Sequence, residues 1–220
     1  MTIREPSLES KNLVDLFPFF ADYQALVQVV DQHLAQTGNP VLCGLGHDRC
    51  CRDLVTLTLM EAVYLSHHLN IMLGQRVRQE VIQRAVEVNR CLRELQPDKA
   101  MDDLGEGFAG KYRQAHILCP LNELGQCLLF ENRPVACRLF DLPREDRREV
   151  TLGLQQGLAR LSREVWFAFT SSFPGNIPLT FSLSAVVSGK FVQVKKMMNP
   201  DILERFGEET RIYLSVIPLH

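Results

Sequence analysis

The 220-residue sequence has no long apolar run and no strong excess of charge. No stretch of about 18 apolar residues occurs, so we expect no membrane-spanning helix and no membrane partner. Acidic and basic residues number 26 and 24, which gives a formal net charge of −2 and argues against nucleic acid as a partner. The first 20 residues carry scattered charges and no signal-peptide cleavage site, so we expect a cytoplasmic protein.

The sequence also lacks the motifs of several common enzyme classes. We find no GxSxG or Ser-His-Asp arrangement and no HExxH spacing around the adjacent His67 and His68, which we expect at the surface or at the edge of the core. The segment GEGFAG at 105–110 has neither the preceding strand nor the following Lys-Ser of a phosphate-binding loop, which predicts a flexible segment. These absences leave the catalytic residues, if any, unidentified.

The spacing of the cysteines is the most informative pattern in the sequence. There are seven, an odd number that suits metal ligands or buried thiols better than a disulfide framework in a reducing compartment. Cys91 lies on the apolar side of a predicted helix and is interpreted as a core residue. The other six form two groups: Cys43, Cys50 and Cys51, then Cys119, Cys127 and Cys137.

Adjacent cysteines restrict the kind of site. Because successive side chains diverge, Cys50 and Cys51 cannot easily occupy two corners of one tetrahedral zinc site, and a disulfide between them would be strained. They could bind two metal ions or two irons of one cluster, or one could bind while the other packs. Thiolates favour iron–sulfur clusters and zinc over magnesium or calcium, so we expect a metal-binding protein.

The second cysteine group carries a resemblance. The segment CPLNELGQCLLFENRPVACRLF, at 119–140, resembles the second half of the CxxCxxCC, or YkgJ-like, family, in which a Cys-Pro start leads through a second cysteine to YExRPxxCRxF. The matching positions are Cys119-Pro120, Cys127, Phe130-Glu131, Arg133-Pro134, Cys137-Arg138 and Phe140. Together with the first group, the resemblance implies a zinc- or iron-chelating core over about residues 43–142.

The first group departs from the family pattern. It reads C-x6-C-C in place of C-x-x-C-x-x-C-C, so His47 falls where the second family cysteine would lie, and Cys43 lies one position further upstream than the first. An imidazole can bind zinc or cluster iron. The alternative is that His47 is a loop histidine facing solvent.

The neighbours of Cys137 suit a thiolate site. Pro134 fixes the backbone at the start of a short predicted helix, which would present Cys137 in its first turn, where N–H groups favour a thiolate. Arg133 and Arg138 flank this cysteine and are predicted to support the site by offsetting thiolate charge or by hydrogen-bonding to sulfur. The alternative is ordinary ion pairing with Glu131, Asp141 or Glu145.

Hydrophobic periodicity predicts a mainly α fold, with helices packed around a cysteine-rich loop metal site and little strand content. The chain, 1–220, reads as a single domain with a helical C-terminal part at 150–220. Thr58 and Glu61 form a capping-box pattern. Helices are predicted over 20–36, from Thr58 to Leu73, over 77–95 and 154–173, over 187–198 (where a strand is the alternative) and over 201–215, with an irregular connection at 98–118.

Three functions are compatible with this reading. The first is an iron–sulfur cluster protein with a role in electron transfer or in modifying a bound protein. The second is a zinc-stabilised module that binds another protein. The third is a metal-dependent enzyme acting on a protein substrate, which the resemblance implies because the family's domain also occurs in proteins that look like flagellin lysine N-methylases. In each case the expected metal ligands are Cys43, His47, Cys50, Cys51, Cys119, Cys127 and Cys137.

Overall fold

A computed structural model describes residues 9–37, 48–95, 106–170, 172–175 and 179–189, with side chains from residue 16 onward and, in the third range, from 108. The described residues are mainly α-helical with short strands, which confirms the predicted fold class. The α-helices are α1 (Glu9–Gln36), α2 (Leu59–Met72), α3 (Gln75–Leu95), α4 (Glu106–Gln114), α5 (Val135–Arg138), α6 (Arg144–Thr170) and α7 (Leu183–Val187). The strands are β1 (Thr56–Thr58), β2 (Asn122–Glu123), β3 (Gln126–Cys127) and β4 (Thr180–Ser182).

The capping box at the start of α2 is present as predicted. Thr58 Oγ1 accepts a hydrogen bond from the Glu61 backbone N–H, and Glu61 Oε2 accepts one from the Thr58 backbone N–H at 2.9 Å. Two orphan donors of the first helical turn are therefore satisfied. The predicted helix over 77–95 corresponds to α3, and the one over 20–36 lies within the longer α1.

The prediction of an irregular connection at 98–118 is wrong for residues 106–114, which form α4, and the same helix contradicts a flexible 106–110. Its buried Phe108 and Tyr112 are four residues apart and pack against Val88 and Leu92 of α3. This pair stabilises a helix that its glycines disfavour. The helix predicted over 201–215 and most of the one predicted over 187–198 lie outside the described residues.

Two short antiparallel ribbons were not predicted individually. Strand β1 pairs with β4, with Leu57 opposite Phe181, and β2 pairs with β3, with Asn122 opposite Cys127. The turn of the second ribbon contains Leu124 and Gly125, both at positive φ, and the Gly125 N–H donates to Asn122 Oδ1. Each strand has only two or three residues, too few to show an alternating pattern.

The main core joins α1, α2 and α6 and also receives the cysteine-bearing segments. Helix α1 packs on α6, and α2 packs on both α6 and α7. Leu121, Leu129 and Leu139 are almost fully buried in this core, and each lies two residues from a cysteine of the second group. Core packing therefore fixes where those cysteines lie. Among the described helices, none is long and apolar enough to cross a membrane.

Candidate metal centre

Five cysteines from separate segments line one small cavity. They are Cys50, Cys51, Cys119, Cys127 and Cys137, and Leu121, Leu129, Leu183, Pro134 and Arg133 complete the lining. None of the five forms a disulfide, and the cavity has a volume of about 10 Å³, close to that of one water-sized sphere. The fold thus brings both sequence groups to one place.

A short 3-10 helix, Arg49–Arg52, carries the adjacent pair. Its backbone is held by a hydrogen bond from the Cys51 N–H to the Asp48 carbonyl at 2.9 Å, and Arg52 pairs with the Asp48 carboxylate. Cys51 is buried, whereas Cys50 is half-buried. The carbonyl of Cys51 accepts a hydrogen bond from the Cys119 N–H at 2.7 Å, which ties this segment to the second group.

Cys119 and Cys127 flank the β2–β3 ribbon. The Asn122 N–H donates to the Cys119 carbonyl at 3.0 Å, and Cys127 ends β3 opposite Asn122. Arg84 of α3 binds this ribbon. Its guanidinium donates a hydrogen bond to the Asn122 carbonyl and forms an ion pair with the Glu123 carboxylate, both at 3.0 Å. The turn between these two cysteines is therefore anchored to a helix of the scaffold.

Cys137 lies in α5, the short helix that follows Pro134 as predicted. The first N–H of this helix, that of Val135, donates at 3.0 Å to Oε1 of the buried Glu61. The other oxygen of Glu61 accepts from Thr58, so one carboxylate joins the first turns of α2 and α5. Sequence reasoning identified Glu61 only as half of a capping box.

The thiols influence one another strongly. Hydrogen bonds from Cys119 and then Cys50 hold the pKa of the Cys51 thiol well below its usual range. The same bonds raise the pKa of Cys50 and of Cys119, with burial adding to the effect, and burial raises the pKa of Cys137. Cys51 is therefore the favoured thiolate beside the protonated thiols of Cys50, Cys119 and Cys137, and a bound cation would displace their protons.

The two arginines that flank Cys137 differ in position. Arg133 lines the cavity, is 4% exposed, and has its guanidinium carbon 3.7 Å from the Phe130 ring centroid. Its charge lowers the pKa of Cys50 and of Cys137. This effect is smaller than the opposite effects of the Cys51 hydrogen bond and burial on Cys50 and of burial on Cys137. Arg138 instead forms an ion pair with Asp31 of α1, at 2.8 Å, and also donates to the Glu131 carbonyl. Sequence analysis did not identify Asp31 as this partner.

A buried amide beside Cys51 lacks a partner. Asn122 is 5% exposed, and among the described residues its Nδ2 atom has no hydrogen bond of ordinary geometry. The side chain nevertheless approaches the Cys51 sulfur closely enough to lower the pKa of that thiol. An amide N–H aimed at a sulfur suits a site that holds metal-bound thiolates or sulfide. The sequence clue to this residue is its place between Cys119 and Cys127.

The remaining candidates lie apart from the cavity or cannot be placed. Cys43 and His47 fall outside the described residues, so their roles stay predictions. Cys91 packs at the edge of the α3–α4 core, as expected for a core thiol. His67 and His68 contact the rings of Phe20 and Tyr64, at the edge of the main core as predicted.

The described residues have the chemical groups that a thiolate-bound metal needs, but their side chains are not arranged around a metal position. Five soft sulfur donors, a buried cation and an unpaired amide N–H meet at one cavity. As the described side chains lie, no group of three or more His, Cys, Asp or Glu residues is arranged to hold an ion. Comparison of the chain with protein-family models, curated proteins and solved structures gave no match. The resemblance to the CxxCxxCC family therefore stays a prediction.

Proposed function

We propose that this chain is a metal-binding protein whose cysteine cavity holds a thiolate-ligated centre, first an iron–sulfur cluster and alternatively zinc. The observation that carries the proposal is the convergence of Cys50, Cys51, Cys119, Cys127 and Cys137 on one cavity although the two groups are far apart in sequence. Five cysteine sulfurs at one cavity are difficult to explain by core packing, because Cys91 shows that a packed cysteine can lie apart from the others.

The number and type of donors favour a cluster. Five sulfurs exceed the four thiolates of a closed zinc site, and the adjacent Cys50 and Cys51 suit two metal atoms better than one. Arg133 places a buried positive charge beside the sulfurs, and the Asn122 amide is available to a sulfur acceptor. Such groups tune the reduction potential of a cluster, which supports a role in electron transfer or in modifying a protein partner.

The size of the cavity supports the zinc alternative. Its volume of about 10 Å³ accommodates a single ion without rearrangement, whereas a cluster requires the thiols to separate. Zinc bound by four of the five thiolates would link the segment 49–52, the β2–β3 ribbon and α5. That link is structural and suits a protein-interaction module.

Metal analysis of the protein purified without oxygen tests the proposal. We expect bound iron with acid-labile sulfide and broad absorption near ~400 nm for a cluster, or zinc without colour for the alternative. Replacing Cys51, Cys119 or Cys137 singly by Ser should lower the bound metal at least several-fold. Cys91→Ser is the matched control, since Cys91 lies outside the cavity, and it should retain the wild-type content. A wild-type chain that binds neither iron nor zinc, with all thiols reduced, would overturn the proposal.

A further inference from the structure

Cys51 and Cys119 are linked through the backbone and share one cavity. The Cys119 N–H donates to the Cys51 carbonyl at 2.7 Å, and both residues line the cysteine cavity. Standard bond lengths then limit the separation of the two Cα atoms to about 7 Å, the distance beyond which a disulfide requires backbone movement. The pair therefore meets the spacing that a disulfide needs.

Other pairings within the cavity are less suitable. Cys50 and Cys51 are adjacent, and a disulfide between neighbours in sequence is strained. Cys127 ends β3 and its backbone faces Asn122, while Cys137 lies in α5, with its N–H bonded to the Pro134 carbonyl. The described backbone hydrogen bonds thus bring Cys119 to Cys51. Cys127 raises the pKa of Cys137, so those two side chains lie near each other, but no described backbone hydrogen bond joins the two residues.

Cys119 is the more accessible cysteine of the pair. It is half-buried and contributes to two cavities, the cysteine cavity and a second one of about 10 Å³ that Asp53, Tyr112 and Ser184 also line. Each cavity has room for about one water-sized sphere. Cys51 lines the first of them and is 4% exposed.

We propose that Cys51 and Cys119 form a disulfide when the metal-free chain meets hydrogen peroxide. The sulfur of one of the two cysteines attacks a peroxide oxygen, the O–O bond breaks, and the products are a sulfenic acid and one water. The sulfur of the other cysteine then attacks the oxidised sulfur and displaces hydroxide, which takes up a proton from the attacking thiol or from solvent and leaves as a second water. Both thiol sulfurs are oxidised, and one peroxide is reduced to two waters.

This disulfide concerns the metal-free chain, so it does not depend on the proposed metal. If the cavity does bind metal, the same bond removes two ligands and makes metal retention sensitive to oxidation. The pairing of the cysteines and the metal content are measured separately, so failure of one is distinguishable from failure of the other.

Disulfide mapping of the full chain tests the inference. The chain is stripped of metal with a chelator, reduced, exposed to equimolar hydrogen peroxide, alkylated under denaturing conditions and digested. We expect one peptide pair joined through Cys51 and Cys119 and a faster-migrating band on a non-reducing denaturing gel. Cys51→Ser and Cys119→Ser should each lose that band, while Cys91→Ser and Cys127→Ser should keep it.

The wild-type map decides the question without requiring any variant to fold. A dominant bond between Cys50 and Cys51, or between Cys127 and Cys137, would overturn the assignment. So would sulfinic acid at Cys119 without a cross-link, because that product would mean that Cys51 does not reach the oxidised sulfur.

Discussion

Replacing Glu61 tests whether one buried carboxylate holds a cysteine-bearing helix in place. Its Oε1 accepts from the Val135 N–H and its Oε2 from Thr58, all within 2.9–3.0 Å. Glu61→Ala removes a cap, at a cost of about 0.5–2 kcal/mol, and leaves the buried Val135 N–H unpaired, at about 1–3 kcal/mol. Burial of the carboxylate costs free energy, as the raised pKa of Glu61 indicates, and Glu61→Ala removes this cost. After this gain is set against the two losses, we expect the free energy of unfolding to fall by about 2–3 kcal/mol.

The assay is denaturant unfolding followed by the fluorescence of Trp166, the single tryptophan, which is 6% exposed. Glu61→Gln should cost about 1–3 kcal/mol, because an amide has one acceptor oxygen and its NH₂ group would face a donor. Glu80→Ala is the control, since Glu80 is exposed and pairs only with an exposed Arg76 among the described residues, so it should change stability by less than about 0.5 kcal/mol. A Glu61→Ala chain as stable as the Glu80→Ala chain would refute the role assigned to the carboxylate.

Three further predictions concern pH and packing. Because the Cys51 hydrogen bond and burial raise the pKa of Cys119, and burial raises that of Cys137, these two thiols are protonated at neutral pH in the metal-free chain. The affinity for zinc should therefore rise with pH, and zinc binding should release protons. The released protons can be measured by titrating the chain with zinc in a weak buffer. An affinity that does not change with pH would contradict this prediction. Gly153→Ala should raise the free energy of unfolding by about 0.5–1 kcal/mol, because a Cβ added at Gly153 meets no heavy atom within 4 Å. Gly157→Ala should raise it by less, because a Cβ added there would lie 3.1 Å from Leu26 Cδ1. An equal gain at both positions would contradict a close contact of α1 with α6. Asn89 Nδ2 donates hydrogen bonds to the Ser184 carbonyl and to Ser188 Oγ. Asn89→Asp removes this donor, so it should lower the free energy of unfolding by about 1–3 kcal/mol in the same fluorescence assay. An unchanged denaturation midpoint would mean that the link between α3 and α7 is dispensable.

The sequence could predict features that depend on local spacing. The capping box at Thr58, the helix at 77–95 and the short helix after Pro134 each follow from residues within a few positions of one another. Helix α4 was missed because its two glycines outweigh the single pair of Phe108 and Tyr112, which becomes stabilising only when α3 covers it.

Contacts between distant residues could not be predicted in the same way. Arg138 pairs with Asp31, 107 positions away, and the Val135 N–H bonds to Glu61, 74 positions away. Nothing in the local sequence of either residue indicates its partner. The sequence could indicate that six cysteines form two groups, but only the fold shows that five of them line one cavity.

The cysteine cavity lies against a core that is built mostly from residues outside the cavity lining. The main core contains large buried residues from α1, α2 and α6, such as Tyr23, Met60 and Leu161, none of which lines the cysteine cavity. The cysteine segments attach to it through Leu121, Leu129 and Leu139 and through the Glu61 carboxylate. A small zinc finger folds only with its metal because it has almost no core of its own. Here the metal proposed above would instead fasten three segments that the core already positions, so its contribution is to the precise placement of the thiols rather than to folding of the whole chain.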